Sequence, residues 1–347
     1  MRIRHSPGMA EWLRSQGISL AYTSYASGRL IVAGVEPGGR LFFNEQNYTR
    51  AMGLHYSQGE LHLASLYQIW RLTDMLQPGE FANGAYDCVL VPRQAHTTGY
   101  LDVHELALDG GGRTIFVNSR YSCLATIDAE FSFQPVWKPP FITELAPEDR
   151  CHLNGLAMVE GVPRYVTAFN TTNTKIGWRD LPHNEGVVLE IESGEIVARS
   201  LSLPHSPRVY EGALWVLESG RGYLVRIDLR SGEKTDVAFC PGFLRGLKFH
   251  DGYAVVVVSK LRERSERLPL HDELMRSGAE PWCAVLVIDL KSGLISNFIR
   301  YEAGITELFD IALLEGIRNP VTVGPSTEEV LTAIRFNPEF ASVDLEQ

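Results

Sequence analysis

The chain has 347 residues, of which 45% are hydrophobic and 21% are charged, and its formal net charge is −10. This composition is typical of a globular protein with a large core and excludes an intrinsically disordered chain. The acidic balance argues against a broad surface for nucleic acid or for anionic membranes, so we expect neither as a partner.

The first residues carry no apolar stretch of the kind found in signal peptides, and apolar runs such as residues 253–258 are too short to span a bilayer. We therefore expect a cytoplasmic protein. The five cysteines are scattered and include no Cys-x-x-Cys pair. This pattern predicts buried reduced thiols, and it indicates neither a disulfide framework nor a thiolate zinc site.

The first predicted element is a short helix within residues 1–17, where Ser6 and Pro7 supply the N-terminal signals and Gly17 the C-terminal one. From Ser19 onward, β-branched and aromatic runs alternate with Gly, Asp and Ser turns, and no βαβ rhythm appears. The sequence predicts one all-β domain over residues 18–336, followed by a C-terminal tail over 337–347.

Six short tags recur about 51 residues apart, and each leads from a short polar segment into an apolar strand. The tags are five residues long and begin at Arg50, Asp102, His152, His205, Phe243 and Glu307. This repeat predicts a six-bladed β-propeller whose tags surround one central mouth. Seven blades are the alternative, because segments 19–25 and 330–334 are candidates for an extra blade.

The closure of the ring and its overhanging loops are also predicted from the sequence. Residues 29–43 look like third and fourth strands without a first and second, and we expect residues 310–324 to supply the missing pair. The long connections 171–184 and 261–282 follow second strands, and the latter contains a predicted helical turn. Both connections should therefore overhang the mouth.

Segments 148–158, 204–208 and 241–247 resemble an uncharacterised bacterial family of conserved hypothetical proteins that is sometimes found beside tetratricopeptide repeats. The resemblance runs from about residue 5 to residue 324 and implies no activity. At the level of the fold, the chain is also similar to the six-bladed propellers of the gluconolactonase and strictosidine synthase type, and to the peptide-amidating lyase with its histidine-bound zinc. That similarity implies an architecture and assigns no residue.

Three histidines in successive tags, His104, His152 and His205, are the predicted ligands of a divalent metal ion. Zinc is favoured because three imidazoles with an open position suit it, and manganese, iron and calcium are the alternatives. Such an ion would polarise a carbonyl group or generate hydroxide. The alternative interpretation is that each histidine is a hydrogen-bonded structural residue.

The remaining candidate residues point to an anionic ligand, because arginine binds carboxylate and phosphate groups through two hydrogen bonds. The predicted substrate-binding residues are Arg50, Arg120, Arg208 and Asn154. Arg245, Glu307 and Asp310 are the predicted catalytic residues: the arginine orients the substrate and a carboxylate moves the proton. The alternative interpretation pairs the arginines with carboxylates as structural bridges between blades.

The predicted function is therefore a metal-assisted hydrolase or lyase that acts on a small anionic or peptidic substrate in the central pocket. The alternative is a non-catalytic propeller module that binds a ligand or a protein partner. Both uses of a propeller are physically sound.

Overall fold

Six β-sheets follow one another in a ring in the computed structural model, which describes residues 2–261 and 268–336. Their first strands contact one another in a closed circle, which makes the molecule a six-bladed propeller. The predicted fold class is confirmed. The tail predicted at 337–347 lies outside the described residues.

Each blade is a four-stranded antiparallel meander, numbered here from the first tag. The strands of blades 1 to 3 are Leu54–Ser57, Glu60–Ala64, Gln68–Asp74 and Cys88–Thr97, then Val103–Leu108, Thr114–Asn118, Cys123–Thr126 and Gln134–Trp137, then Leu153–Val159, Val162–Ala168, Gly186–Glu190 and Ile196–Leu201. Those of blades 4 and 5 are Pro204–Tyr210, Ala213–Glu218, Tyr223–Ile227 and Lys234–Phe239, then Phe243–His250, Tyr253–Ser259, Ala284–Asp289 and Leu294–Ala303.

Blade 6 joins the two ends of the chain. Its first strand is Ile311–Glu315, and the other three are Ile18–Ser24, Arg29–Val35 and Leu41–Asn47. The prediction of the third and fourth strands is confirmed, but the second strand comes from the N-terminal side and not from residues 310–324. Every residue of Ile18–Ser24 is buried, which is why this segment belongs inside a blade.

No seventh blade is found among the described residues. The two segments considered for it lie elsewhere: Ile18–Ser24 is in blade 6, and residues 330–334 include part of the short helix Glu329–Thr332. Two further strands extend existing blades at their outer edges. Arg2–His5 pairs with Leu294–Ala303 of blade 5, and Pro320–Thr322 pairs in parallel with Cys88–Thr97 of blade 1.

Three further short helices complete the architecture. The N-terminal helix Met9–Gln16 packs Met9 and Leu13 into the core that blades 5 and 6 share. The connections over the mouth contain a 3-10 helix, Gly177–Asp180, and an α-helix, Pro269–Ser277. No helix in residues 2–261 and 268–336 has the length and apolar character needed to cross a membrane. All five cysteines are buried and unpaired, as predicted.

A repeated hydroxyl contact holds the tags of neighbouring blades together. Ser119 and Ser219 follow the second strands of blades 2 and 4, and Ser259 ends the second strand of blade 5. Their side chains donate hydrogen bonds to the carbonyl oxygens of Leu153, Leu244 and Leu308, which are the second tag residues of the following blades. Blades 2, 4 and 5 therefore fix where the next tag enters the ring.

Candidate active site in the axial pocket

A pocket with a volume of about 820 Å³ opens where the six tags enter the ring. Its wall includes the first residues of five tags and the third residues of four, which are Arg50, Asp102, His152, Phe243, Glu307, Met52, His104, Arg245 and Phe309. The tags therefore surround one mouth, as their spacing predicts.

The two long connections contribute to the same wall. Trp178, Arg179 and His183 come from the connection in blade 3, and Leu268 comes from the connection in blade 5. The described parts of both connections lie over the mouth, in agreement with the sequence prediction. Part of the second one, residues 262–267, lies outside the described residues.

β-Bulges in three of the tags change the direction in which their side chains point. The pairing of first and second strands shifts register between Leu153 and Leu156, between His205 and Arg208, and between Leu244 and Leu247. Backbone φ is +48° at His152 and +55° at Asp102, in the left-handed region. Bulges of this kind are common beside active sites because they turn a side chain out of the regular alternation.

The protonation of His104 follows from its hydrogen bonds. Its Nδ1 atom lies 3.0 Å from the carbonyl oxygen of Asp102 and 2.8 Å from the Ser119 hydroxyl. That hydroxyl already donates to Leu153, and a carbonyl oxygen only accepts, so Nδ1 of His104 carries the hydrogen. Burial lowers the pKa of His104 to about 4 despite the opposing charge of Asp102. At neutral pH the ring is uncharged and Nε2 is an acceptor.

His205 repeats this arrangement in blade 4. Its Nδ1 atom lies 2.9 Å from the carbonyl oxygen of Leu203 and 2.8 Å from the Ser219 hydroxyl, which itself donates to Leu244. Burial, helped by the charge of Arg245, holds the pKa of His205 well below its usual value. Its Nε2 atom accepts a hydrogen bond of 3.3 Å from Arg245.

His152 differs because its partner is a carboxylate. Its Nδ1 atom lies 3.0 Å from both oxygens of Asp149, and the indole nitrogen of Trp178 donates to the same carboxylate at 3.0 Å. The centre of the Trp178 ring also lies 4.4 Å from the centre of the His152 ring. The His104 and His152 rings pack edge-on, with their centres 4.8 Å apart. An imidazole oriented by a carboxylate in a pocket wall is suited to general-base catalysis.

The three predicted metal ligands are near one another but do not share one point. His104 contacts His152, whereas Phe169 packs against both His152 and His205, and the Nε2 atom of His205 is taken by Arg245. Among residues 2–261 and 268–336, no group of three or more His, Cys, Asp or Glu side chains is placed to hold one metal ion. This arrangement does not fit an ion bound by all three histidines.

Asp102 and Tyr100 form a polar pair at the pocket wall. Burial opposes ionisation of Asp102, but the adjoining His104 and His152 rings and the Tyr100 hydroxyl outweigh it, so the pKa of Asp102 falls below its usual value. Burial, helped by the charge of Asp102, raises the pKa of Tyr100. The site therefore holds a carboxylate that stays ionised beside a phenol that stays protonated.

The structure places Arg50 and Arg245 in the pocket wall and Arg120 beside them, over the Tyr100 ring. The Arg50 guanidinium lies in the pocket wall, over the rings of Tyr25 at 4.5 Å and Tyr100 at 5.5 Å. The Arg120 guanidinium lies over the same Tyr100 ring, at 5.1 Å from its centre. Arg245 lies between Phe243 and Phe309, with its Nη2 atom 3.3 Å from Glu307.

Arg208 lies at a different place from the one expected. It forms an ion pair with Glu105 and donates hydrogen bonds to the carbonyl oxygens of Leu156 and Leu247, each at 3.0 Å. Neither Arg208 nor Asp310 belongs to the wall formed by the described residues. For Arg208 the structure supports the alternative, a structural bridge between blades.

Asp310 is part of the same buried group. Its Oδ2 atom accepts the backbone N–H of Leu54 in blade 1 at 2.8 Å. Burial and the neighbouring Glu105 carboxylate raise the pKa of Asp310 to about 7, and burial lowers the pKa of Lys248 to about 8. These charges link blades around the axis.

The fourth tag position explains this group. It alternates between glycine and a charged residue around the ring, in the order Gly53, Glu105, Gly155, Arg208, Gly246 and Asp310. A Cβ atom on Gly53 would lie 3.0 Å from Cα of Glu105, and one on Gly246 would lie 2.7 Å from Oδ1 of Asp310. Each glycine makes room for its neighbour, so this level of the ring holds three charged side chains instead of six.

Asn154 is buried and does not belong to the described pocket wall. Its Nδ2 atom has no hydrogen-bond partner in the described part of the chain. Sequence reasoning also missed residues that the structure brings to the site, namely Asp149, Trp178 and Lys260. Two sequence signals pointed to them: Asp149 lies three residues before His152 of the third tag, and Trp178 lies in the connection 171–184 that is predicted to overhang the mouth.

A family model described as a domain of unknown function, DUF4915, matches residues 7–323. The chain belongs to the DUF4915 family. The resemblance to an uncharacterised family is thus confirmed, and it covers all six blades. No curated protein matches the chain.

Solved structures confirm the fold of this DUF4915 chain. It is similar to a chain of a nidogen/laminin complex, with a TM-score of 0.56 and 12% identity, over 86% of this chain and 99% of that one. It is similar to a protein of unknown function from Bacteroides caccae, with a TM-score of 0.52 and 9% identity, over 86% and 98% of the two chains.

A gluconolactonase from Xanthomonas campestris is also similar, with a TM-score of 0.50 and 13% identity, over 84% of this chain and 87% of that one. This agrees with the fold-level resemblance drawn from the sequence. At such identities the likeness concerns architecture alone.

Proposed function

We propose that the axial pocket is the active site of a hydrolase or lyase that acts on a small anionic substrate. The observation that carries this proposal is the Asp149–His152 pair, in which both carboxylate oxygens lie 3.0 Å from Nδ1 of a histidine in the pocket wall. Packing of the blades does not require a histidine that is oriented by a carboxylate in the wall of a cavity, beside Arg50.

His152 acts as the general base. Asp149 accepts the Nδ1 hydrogen, so the neutral ring takes a proton at Nε2, and Asp149 then stabilises the imidazolium that forms. In a hydrolase that proton comes from the attacking water. In a lyase it comes from a carbon atom beside a substrate carboxylate, where Arg50 and Arg245 of the pocket wall offset the negative charge that develops. The electron pair left on that carbon forms a double bond to the next carbon, and the bond to the leaving group breaks.

The serines beside the histidines have a different task. Ser119 and Ser219 donate their hydrogens to backbone carbonyl oxygens, and His104 and His205 donate to them. In a serine hydrolase the direction is reversed, because the histidine must accept the hydrogen of the nucleophile. The geometry therefore favours water or a carbon acid as the group that His152 deprotonates.

Two arginines of the pocket wall, Arg50 and Arg245, bind the substrate. Arg50 offers its guanidinium to a carboxylate or phosphate, while Arg245, which contacts His205 and Glu307, orients the substrate from another blade. The similarity to a gluconolactonase adds that this architecture supports hydrolysis elsewhere. The competing proposal, a binding module, uses the same wall without the proton transfer.

The test combines turnover with binding. The purified protein is incubated with a panel of carboxylate-bearing lactones, esters and β-elimination substrates, and products are followed by mass spectrometry. For any substrate turned over, kcat/KM should fall at least about 100-fold in His152→Asn and in Asp149→Asn, since general-base catalysis contributes roughly 10²–10⁴-fold.

Anion binding should survive both substitutions, as measured by the thermal shift that succinate produces. The matched control is His271→Asn, which replaces a histidine of the helix Pro269–Ser277 outside the described pocket wall. Undiminished turnover in His152→Asn contradicts the proposal. Wild-type protein that binds anions but converts none of the panel favours the binding module.

A further inference from the structure

We propose that the ligand of the axial pocket carries at least two anionic groups, held by Arg50, Arg179 and Lys260. This inference rests on the proposed anionic substrate and narrows it to a class, the multiply charged carboxylates and phosphates. It depends on which pocket cations have carboxylate partners and on where they stand around the mouth.

Arg50 is the first of these cations. Its guanidinium is held by the faces of Tyr25 and Tyr100, and no carboxylate in the described part of the chain forms an ion pair with it. Aromatic faces fix the position of a guanidinium without neutralising its charge. The hydrogen-bond donors of Arg50 are thus positioned and still available for a ligand.

Lys260 and Arg179 complete the set. Lys260 follows the second strand of blade 5 and lies in the wall, and Arg179 lies over the Trp178 ring at 4.9 Å. Within residues 2–261 and 268–336, neither forms an ion pair with a carboxylate. Arg179 belongs to the same 3-10 helix as Trp178, which binds Asp149, so an anion on Arg179 would lie beside the proposed base.

The contrast with the rest of the molecule is the decisive point. The chain has 42 acidic and 32 basic residues, and buried or half-buried arginines away from the pocket have carboxylate partners, as Arg150 has in Glu144 and Glu148, Arg208 in Glu105, and Arg221 in Glu218 and Asp236. The half-buried Arg120, which lies over Tyr100, forms no ion pair within the described part of the chain. Arg50 and Lys260 are half-buried and Arg179 is exposed. Three pocket cations that lack carboxylate partners among the described residues of an acidic protein favour an anionic ligand.

The position of the three cations indicates more than one anionic group. Arg50 belongs to blade 1, Arg179 to the connection in blade 3 and Lys260 to the connection in blade 5, so they come from alternate blades of the ring. One carboxylate binds one guanidinium through two hydrogen bonds and does not extend across a pocket of about 820 Å³. A ligand with two or three anionic groups engages several blades at once.

The experiment is a charge series measured by isothermal titration calorimetry in low salt at neutral pH. Propionate, succinate and tricarballylate carry one, two and three carboxylates on related carbon chains. Each added carboxylate should tighten binding by about tenfold, because it engages a further cation through charge-assisted hydrogen bonds. Phosphate and pyrophosphate form the second arm, and tighter binding of pyrophosphate than of succinate identifies a phosphorylated ligand.

Substitutions connect the series to the named cations. Arg50→Gln and Lys260→Met should each weaken tricarballylate binding about tenfold and flatten the series, whereas Lys291→Met, in the exposed turn between the third and fourth strands of blade 5, should change neither. Equal affinities for all three carboxylates, or an equal effect of Lys291→Met, overturn the inference.

This outcome is separable from that of the proposed function. The series requires no turnover, so the order of affinities is measured on the wild-type protein whether or not it converts any substrate of the panel. A preserved order without any turnover refutes the enzyme alone. A flat series in a protein that turns over a singly charged substrate refutes the multiply charged ligand alone.

Discussion

Arg208 of blade 4 forms an ion pair with Glu105 of blade 2 across the intervening blade 3, which has Gly155 at the equivalent position. The same two side chains bind the backbone of blade 3, because Leu156 donates its N–H to Glu105 and its carbonyl oxygen accepts from Arg208. One buried ion pair thus ties three consecutive blades together next to the pocket.

Breaking this pair should destabilise the fold without affecting the pocket. Arg208→Met leaves Glu105 buried without its partner, and we expect the free energy of unfolding in urea to fall by about 3–5 kcal/mol. Anion affinity of the folded protein should stay within about twofold of the wild type. The control Arg113→Met removes an exposed pair with Asp109 and should cost less than about 1 kcal/mol. Loss of anion binding with unchanged stability would restore Arg208 as a substrate residue.

The glycines at the fourth tag position should not tolerate a methyl group. A Cβ atom on Gly155 would lie 2.8 Å from the backbone nitrogen of Ser206, so Gly155→Ala forces adjacent blades apart and should cost about 3 kcal/mol. Gly38→Ala is the control, because a Cβ there meets nothing within 4 Å. Equal unfolding midpoints in urea for the two variants would show that the ring is not closely packed at this level.

The buried histidines predict a pH dependence of stability. Because the pKa of His104 is lowered to about 4 in the folded state, the unfolded chain binds more protons between pH 4 and 6.5, so folded-state stability rises with pH over that window. The contribution is on the order of 3 kcal/mol. His104→Asn should reduce the slope of Tm against pH between 4 and 6.5, and His5→Asn, in an exposed strand, should not. An unchanged slope in His104→Asn would mean that this ring is protonated in the folded protein.

The metal prediction drawn from the three histidines has a direct test. Because His205 binds Arg245 and the described side chains provide no three-residue ligand group, we expect chelation with EDTA to shift Tm by less than about 1 °C and to leave succinate binding unchanged. Protein without a histidine tag is required. A clear fall in Tm, reversed by zinc and missing in His152→Ala, would establish the metal site.

Repetition made much of this protein predictable. The tags beginning at Arg50, Asp102 and His152 recur at blade spacing, and segments that repeat in this way must occupy equivalent places in a ring. The prediction for blade 6 failed in one respect, since Ile18–Ser24 was not recognised as its second strand. The sequence marks residues 19–25 as a candidate strand, but a strand buried on both faces carries no signal for the blade it joins, so its place was decided by the partners it meets.

The sequence predicted which kinds of side chain line the pocket, but it did not predict correctly which of the candidate residues lie together there. His104, His152, Arg50 and Arg245 do line one pocket, but Arg208 and Asp310 lie outside its described wall. Asp149 was missed because it lies before the tag, where positive φ values of +47° at Asp149 and +48° at His152 fold the chain back on itself. A local backbone reversal of this kind leaves no periodic signal.

The sequence by itself determined the propeller fold with six or seven blades, the mouth around which the tags gather and the excess of imidazole and guanidinium groups there, because these depend on repeat spacing and residue type. Only the tertiary structure decided which charges neutralise one another and which remain for a ligand. That division depends on bulges of a single residue and on glycines that let Glu105 and Arg208 meet across a blade, and such contacts arise only when distant segments are packed together.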